Sequence, residues 1–270
     1  PHSLVGEMDY AGVDMALIHT DPMLVRDSNY LKESINLYPN RLRAMAPVDE
    51  WRILADTKTI ISSVHTSIYH HGLHAIKFHT PKHEWMEGAY KQFWEEITSY
   101  KVPIFFTLGT STSNQNINSD ISQQKKGYIE NLIRLRKWSD QYPENICSVT
   151  HGFPWRLFLY NNEIIVPDPI WEIFDNTNIY LEVCFPVRIG DKFEYPYKEV
   201  WSTLKQMTDR IGADRLMWGT DMPFQNRFCT YAQSRQWIEN HCTFLNDEQI
   251  SAIMGNTTAR ILGLDDKQTD

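Results

Sequence analysis

Seven short runs of apolar, β-branched and aromatic residues recur along the chain, each followed by a longer segment with a helical repeat of apolar positions. We predict strands over these runs, at 13–19, 42–48, 73–79, 102–107, 146–151, 178–184 and 215–219. We predict helices between and after them, at 28–38, 52–71, 87–100, 124–141, 168–176, 196–211, 230–242 and 247–261. This alternation predicts a parallel sheet, because parallel strands need crossover connections and a helix usually supplies them.

Two architectures suit this order, a (β/α)8 barrel and an open doubly wound sheet. The chain has 270 residues, close to the roughly 250 of a typical barrel, and no glycine-rich nucleotide-binding motif follows an early strand. We therefore predict an α/β fold, a (β/α)8 TIM barrel forming one domain over residues 1–270, with its first strand missing from the sequence. Removal of an N-terminal part would explain the missing strand, and a start at Pro1 rather than methionine favours this explanation.

Composition narrows the classes of partner. Hydrophobic residues make up 42% and charged residues 22% of the chain, so a large core is expected, while a net charge of −8 argues against nucleic-acid binding. No apolar run approaches the roughly 20 residues of a membrane span. The chain has four cysteines with no Cys-x-x-Cys pair, which favours reduced thiols and a cytoplasmic protein.

Side chains that could carry chemistry follow alternate predicted strands. His19, His79, His151 and Asp221 stand at or just after the strands that would be second, fourth, sixth and eighth of a complete barrel. The carboxyl ends of barrel strands meet at the catalytic rim, so these groups are expected to converge. Imidazoles and a carboxylate suit divalent zinc, manganese or iron, and we predict Asp221, His79 and His151 as the metal ligands.

Two of these residues stand in distinctive surroundings. His151 ends a buried strand and is followed by Gly152, which lets a ligand approach closely. Asp221 ends an apolar strand within the sequence GTDMPF at 219–224, and a carboxylate buried there needs a metal or a proton. We predict His151 and Asp221 as the catalytic residues.

Six segments have the pattern of a known family, at 7–14, 72–79, 102–106, 150–152, 219–224 and 255–264, the last reading GNTTARILGL. Through them the chain resembles the amidohydrolase-related family of the metal-dependent amidohydrolase superfamily, whose members include decarboxylases of small aromatic and muconate-type acids. The resemblance implies a distorted barrel with one catalytic metal, usually zinc and sometimes manganese or iron. It also implies that His151 is the catalytic histidine after the sixth strand and that Asp221 binds the metal and moves protons.

The sequence departs from the family pattern at two places. No His-x-His or Glu-x-His precedes Glu7, and Thr107 stands where the family has a histidine ligand after its fifth strand. A hydroxyl is a poorer zinc ligand than an imidazole. Either the metal is held differently, through His79 and His151, or the chain has lost its metal.

Three hypotheses about function follow. The first is a metal-dependent hydrolase or non-oxidative decarboxylase that acts on a small carboxylated substrate, which includes aromatic acids. In this hypothesis Arg156 binds the substrate carboxylate, and Trp155 and Phe224 line the pocket. The second is a catalytically degenerate subunit paired with an active homologue, and the third is a non-haem iron oxygenase on the same barrel. We expect a homo- or hetero-oligomer of related barrels. The polar segment 109–124 is predicted to be either a lid or a disordered insertion.

Overall fold

A curled sheet of seven parallel strands organises the molecule, which a computed structural model describes over residues 1–20, 27–110 and 120–264. All seven predicted strands are present, in the spatial order β1 (Ala16–Ile18), β2 (Leu42–Pro47), β3 (Ala75–His79), β4 (Ile104–Thr107), β5 (Cys147–Val149), β8 (Ile179–Val183) and β9 (Leu216–Trp218). A separate antiparallel hairpin, β6 (Leu159–Tyr160) and β7 (Glu163–Ile164), follows β5. The predicted α/β fold, a barrel lacking one strand, is confirmed.

Helices surround this sheet: α1 (His2–Ala11), α2 (Ser28–Leu37), α3 (Ile53–His65), α4 (Ala89–Ile97), α5 (Ile121–Gln141), α6 (Asp168–Trp171), α7 (Phe185–Ile189), α8 (Trp201–Ile211), α9 (Tyr231–Glu239), α10 (Asp247–Ser251) and α11 (Thr257–Ile261). Every predicted helix has a counterpart, although α3, α4, α6, α8 and α9 are shorter than predicted. The sequence analysis missed α1 and α7. No helix of the described residues is long and apolar enough to span a membrane.

Local sequence fixes several helix starts. The carboxylate of Asp120 accepts a hydrogen bond from the backbone of Gln123 and begins α5. Thr230 and Gln233 form a reciprocal capping box at the start of α9. Each cap satisfies backbone N–H groups that lack a partner within the helix. The predicted lid at 109–124 falls largely outside the described residues.

Side chains of each strand alternate between the inside and the outside of the curled sheet. On β3 and β4, Phe78 and Phe106 point outward into an aromatic core that includes Trp85, Trp94 and Trp138. Inside the sheet lies a smaller apolar cluster, made of Met45, Ala75, Phe105, Tyr180, Met217 and Ile261. Ile261 belongs to α11, so this helix covers one end of the interior. The opposite end, at the strands' carboxyl termini, carries the polar groups.

The ring of strands is open between β9 and β1. Within the described ranges no backbone ladder joins these two strands. The helical layer nevertheless continues across the gap, because α1 packs against α9 and Arg235 donates a hydrogen bond to the carbonyl of Gly12 at 2.7 Å. The sheet therefore curls far enough to bring its two edges to one side of the molecule.

Candidate active site at the carboxyl rim

Three side chains that follow β1, β5 and β9 meet at the carboxyl rim of the sheet. One ligand atom each from His19, His151 and Asp221 lies within 4.8 Å of the other two. His151 Nε2 is 3.4 Å from Asp221 Oδ1. All three residues are partly buried, so the cluster faces a recess rather than open solvent. The predicted catalytic pair, His151 and Asp221, thus lies together on one rim.

The backbone is strained at both members of this pair. His151 has φ 63° and Asp221 has φ 55°, in the left-handed region that non-glycine residues rarely adopt. Such conformations cost on the order of 1–3 kcal/mol each and concentrate at functional sites. Gly152 follows with φ 68°, and a Cβ at this position would lie 2.9 Å from the Glu182 carbonyl oxygen. The turn after β5 therefore requires glycine at 152.

A buried lysine lies beneath the cluster. Lys77, on β3, is 2% exposed, and its Nζ donates a hydrogen bond to Thr150 Oγ1 at 2.8 Å. Thr150 Oγ1 is also 2.8 Å from Thr107 Oγ1. The hydroxyl of Thr107, at the position of the expected histidine ligand, is thus part of a Lys77–Thr150–Thr107 hydrogen-bonded chain.

Residues on β8 and α7 surround His151. The backbone N–H of His151 donates to Glu182 Oε2 at 2.6 Å, which holds the turn after β5 against β8. Arg188 Nη2 lies 3.1 Å from His151 Nδ1. His151 is therefore held at its backbone by a carboxylate and at one ring nitrogen by a guanidinium.

His79, the third predicted metal ligand, is paired with an acid instead. Its Nδ1 and its backbone nitrogen lie 2.9 and 2.6 Å from Glu50 Oε1. Glu50 is fully buried, and its Oε2 has no hydrogen-bond partner among the described residues. The cluster of possible ligands therefore contains His19 where the sequence analysis had His79.

Burial and neighbouring charges set the protonation of the cluster. Burial, followed by the charge of Lys77, lowers the pKa of His19 to about 3, so this imidazole is neutral at pH 7. Burial alone would raise the pKa of Asp221, but the hydrogen bond and charge of His151, with His19 and Lys77, hold it below its usual value. A neutral imidazole beside an ionised carboxylate is the state in which both can bind a metal.

The donor set fits a divalent cation. Two imidazoles and one carboxylate suit zinc, manganese and iron, and open positions would remain for water or substrate. The carboxylate of Asp221 is a negative charge in a recess that also contains neutral His19. The residues present therefore fit the metal that the sequence analysis predicted.

The three predicted substrate-binding residues lie in different environments. The guanidinium of Arg156 pairs with Asp191 and donates to the Arg188 carbonyl, and its side chain is 49% exposed. Trp155 is fully buried and stacks on Phe185, with ring centroids 4.6 Å apart. Phe224 is 38% exposed, three residues after Asp221. The structure places Phe224 on the surface, Trp155 in the core and Arg156 in an exposed ion pair.

Sequence reasoning missed the roles of Arg188 and Glu50. Glu50 lies shortly after the end of β2, and an acid close to the carboxyl end of a buried strand could have been identified from the sequence as a candidate site residue. Arg188 lies 37 residues from its partner His151 on a helix that was not predicted. Nothing in the local sequence pattern could have identified that contact.

Comparison with known proteins identifies a family and a shared fold. The family model described as amidohydrolase matches residues 24–264. No curated protein matches the chain. The chain is similar to dihydroxybenzoic acid decarboxylase from Polaromonas with bound manganese and an inhibitor, 2-nitroresorcinol, at 20% sequence identity and a TM-score of 0.69, covering 97% of this chain and 85% of that one. It is similar to 5-carboxyvanillate decarboxylase from Sphingomonas paucimobilis at 16% identity and a TM-score of 0.68, covering 97% of this chain and 82% of that one. It is also similar to a probable 2-pyrone-4,6-dicarboxylic acid hydrolase from Acinetobacter baumannii with citric acid bound, at 12% identity and a TM-score of 0.71, covering 97% of this chain and 88% of that one.

Proposed function

Because the chain belongs to the amidohydrolase family, we propose that it is a metal-dependent enzyme that removes the carboxylate of a small aromatic acid without oxidation. The observation that carries this proposal is the convergence of His19, His151 and Asp221 at the carboxyl rim. Two of the three similar structures described above are decarboxylases of aromatic acids. That likeness supports the class of reaction.

The metal would be held at this cluster, with Asp221 as its anionic ligand. A divalent ion bound there would act as a Lewis acid toward an oxygen of the substrate. We expect zinc, although the Polaromonas decarboxylase was solved with manganese. The donor atoms suit zinc, manganese and iron alike, so elemental analysis of the purified protein is the measurement that identifies the ion.

Asp221 would transfer the proton that the reaction needs, and His151 would hold Asp221 in place. Asp221 carries a proton from solvent to the ring carbon that bears the carboxylate. The bond between this carbon and the carboxylate then breaks, its electron pair returns to the ring, and carbon dioxide leaves. His151, 3.4 Å from Asp221 Oδ1, orients the carboxylate and stabilises its ionised form between turnovers.

The experiment is turnover of a panel of hydroxybenzoates by metal-loaded protein in D2O. We expect the substrate to be consumed and the product to carry one deuterium at the carbon that bore the carboxylate. Asp221→Asn should reduce turnover at least ~100-fold, because it removes both a ligand charge and the proton carrier. Its metal content should fall in parallel.

Asp209→Asn is the matched control. Asp209 lies on α8 in an exposed pair with Lys205, so turnover and metal content should stay at wild-type values. Full activity in Asp221→Asn would end the proposal. Products of lactone or amide hydrolysis without carbon dioxide release would instead assign the chain to the hydrolases of the family.

A second candidate, a degenerate subunit that pairs with an active homologue, is favoured by one observation. Thr107 stands at the expected ligand position, and its hydroxyl is hydrogen-bonded to Thr150. Wild-type protein that takes up no metal from a solution of Mn2+ or Zn2+, and turns over none of the panel, would favour this candidate.

A further inference from the structure

The contact between Arg188 and His151 determines where the hydrogen of the histidine ring lies. A guanidinium has five N–H donors, accepts no hydrogen bonds and stays protonated in proteins. Arg188 Nη2, 3.1 Å from His151 Nδ1, can therefore only donate. Nδ1 must accept with its lone pair, so this nitrogen carries no hydrogen.

The single N–H of neutral His151 consequently lies on Nε2. This is the nitrogen that faces Asp221 Oδ1, at 3.4 Å. A carboxylate accepts hydrogen bonds, so the two contacts of the ring agree on one tautomer. The backbone N–H of His151 donates to Glu182 Oε2 at 2.6 Å, which anchors the main chain of the turn that carries the ring.

Histidines that bind metals have the reverse pattern. Such a ring directs one lone pair at the metal and donates its other N–H to a carbonyl or carboxylate. His19 shows this pattern, since its Nδ1 lies 3.0 Å from the carbonyl of Thr20, which leaves the Nε2 lone pair for a cation. His151 faces a donor at Nδ1 and carries its hydrogen at Nε2, so it presents no lone pair to the cluster.

We propose that Arg188 is a positioning residue that fixes His151 as the Nε2–H tautomer and thereby keeps it out of the metal's coordination shell. This inference rests on the proposed metal site and assigns its three residues different roles. His19 and Asp221 bind the cation, and His151 hydrogen-bonds to Asp221 from outside the coordination shell. Proximity alone had made all three residues equivalent candidates.

The tautomer is measured on metal-free protein by long-range 1H–15N correlation NMR with 15N-labelled histidine. The chain has ten histidines, and His151→Gln identifies the signals of residue 151 by their loss. We expect the Nε2–H tautomer in wild-type protein. Arg188→Met should populate the Nδ1–H tautomer, while Arg188→Lys, which keeps a donor, should restore the wild-type pattern.

Arg210→Met is the matched control, because Arg210 pairs with Asp168 on the surface and should leave the tautomer unchanged. An Nδ1–H tautomer in wild-type protein overturns the inference. So does a tautomer that is the same in wild type, Arg188→Met and Arg188→Lys, because Arg188 would then not determine it.

Mn2+ binding tests the consequence for the metal. His151→Gln should weaken the affinity for Mn2+ by ~10–100-fold, as is typical for loss of an outer-shell contact, and His19→Gln, which removes a ligand, should weaken it at least ~10-fold more. Pulsed EPR of bound Mn2+ should show nitrogen coupling from one imidazole. Coupling from two imidazoles, or equal losses in the two variants, contradicts the inference. If wild-type protein binds no Mn2+, the proposed metal site fails, and the NMR result still decides whether Arg188 sets the tautomer.

Discussion

Lys77 provides a test of the electrostatics inside the curled sheet. Its side chain is 2% exposed, and its Nζ has a hydrogen bond to Thr150. Burial lowers the pKa of Lys77 from 10.5 to about 8, even though the carboxylates of Glu182 and Asp221 attract its charge. The desolvation of this ammonium group therefore outweighs its ion pairing. At neutral pH the folded protein carries a buried charge at a net cost.

The pH dependence follows from comparing the folded and unfolded chains. Below pH 8 both hold the proton, so the full cost is present. Between pH 8 and 10.5 the unfolded chain binds more protons than the folded one, so the stability from this group rises with pH. At about 1.4 kcal/mol per pKa unit, the gain across this window is about 3 kcal/mol.

The assay compares urea unfolding of metal-free wild type and Lys77→Met from pH 7 to 10.5. We expect wild type to gain about 3 kcal/mol relative to the variant over this range, because other titrating groups cancel in the difference. Lys205→Met, which removes an exposed lysine of α8, is the matched control for loss of a lysine at the surface. A difference between wild type and Lys77→Met that stays constant with pH, or one of opposite sign, would refute this account of the interior.

Packing gives three further predictions, all measured by urea unfolding. Gly190→Ala should cost ~1–3 kcal/mol, because its Cβ would overlap the carbonyl oxygen of Pro186. Gly6→Ala in α1 is the control, because its Cβ would meet nothing within 4 Å and the substitution should gain up to ~1 kcal/mol. Equal effects would contradict the packing of α7. Phe106→Ala should cost ~3–5 kcal/mol through loss of aromatic core contacts, and a cost under 1 kcal/mol would refute its burial. Arg156→Met should change stability by less than ~1 kcal/mol, as expected for an exposed ion pair.

The strands and most helices could be predicted because their apolar periodicity is a local property of the sequence. The helices α1 and α7 lack a clear local pattern of this kind. In α1 the buried residues Val5, Met8 and Ala11 follow a helical spacing, but a glycine and several polar residues interrupt it. The helix α7 has five residues and no room for a periodic pattern.

The candidate site could be predicted only in part. Position at a strand end identified His151 and Asp221, since parallel strands bring their carboxyl ends to one rim. Which of His19 and His79 joins them depends on how far the sheet curls and on the partner that each ring finds, and Glu50 pairs with His79. The exposed pairing of Arg156 with Asp191 likewise depends on a contact between distant loops.

The most direct test of the central claim is a crystal structure of the protein soaked in Zn2+ or Mn2+, with anomalous scattering recorded at the edge of the soaked metal. The account predicts one strong anomalous peak about 2.0–2.2 Å from both His19 Nε2 and an Asp221 carboxylate oxygen. A fully occupied peak elsewhere, or no peak at the rim in crystals that hold the metal at other sites, would contradict it.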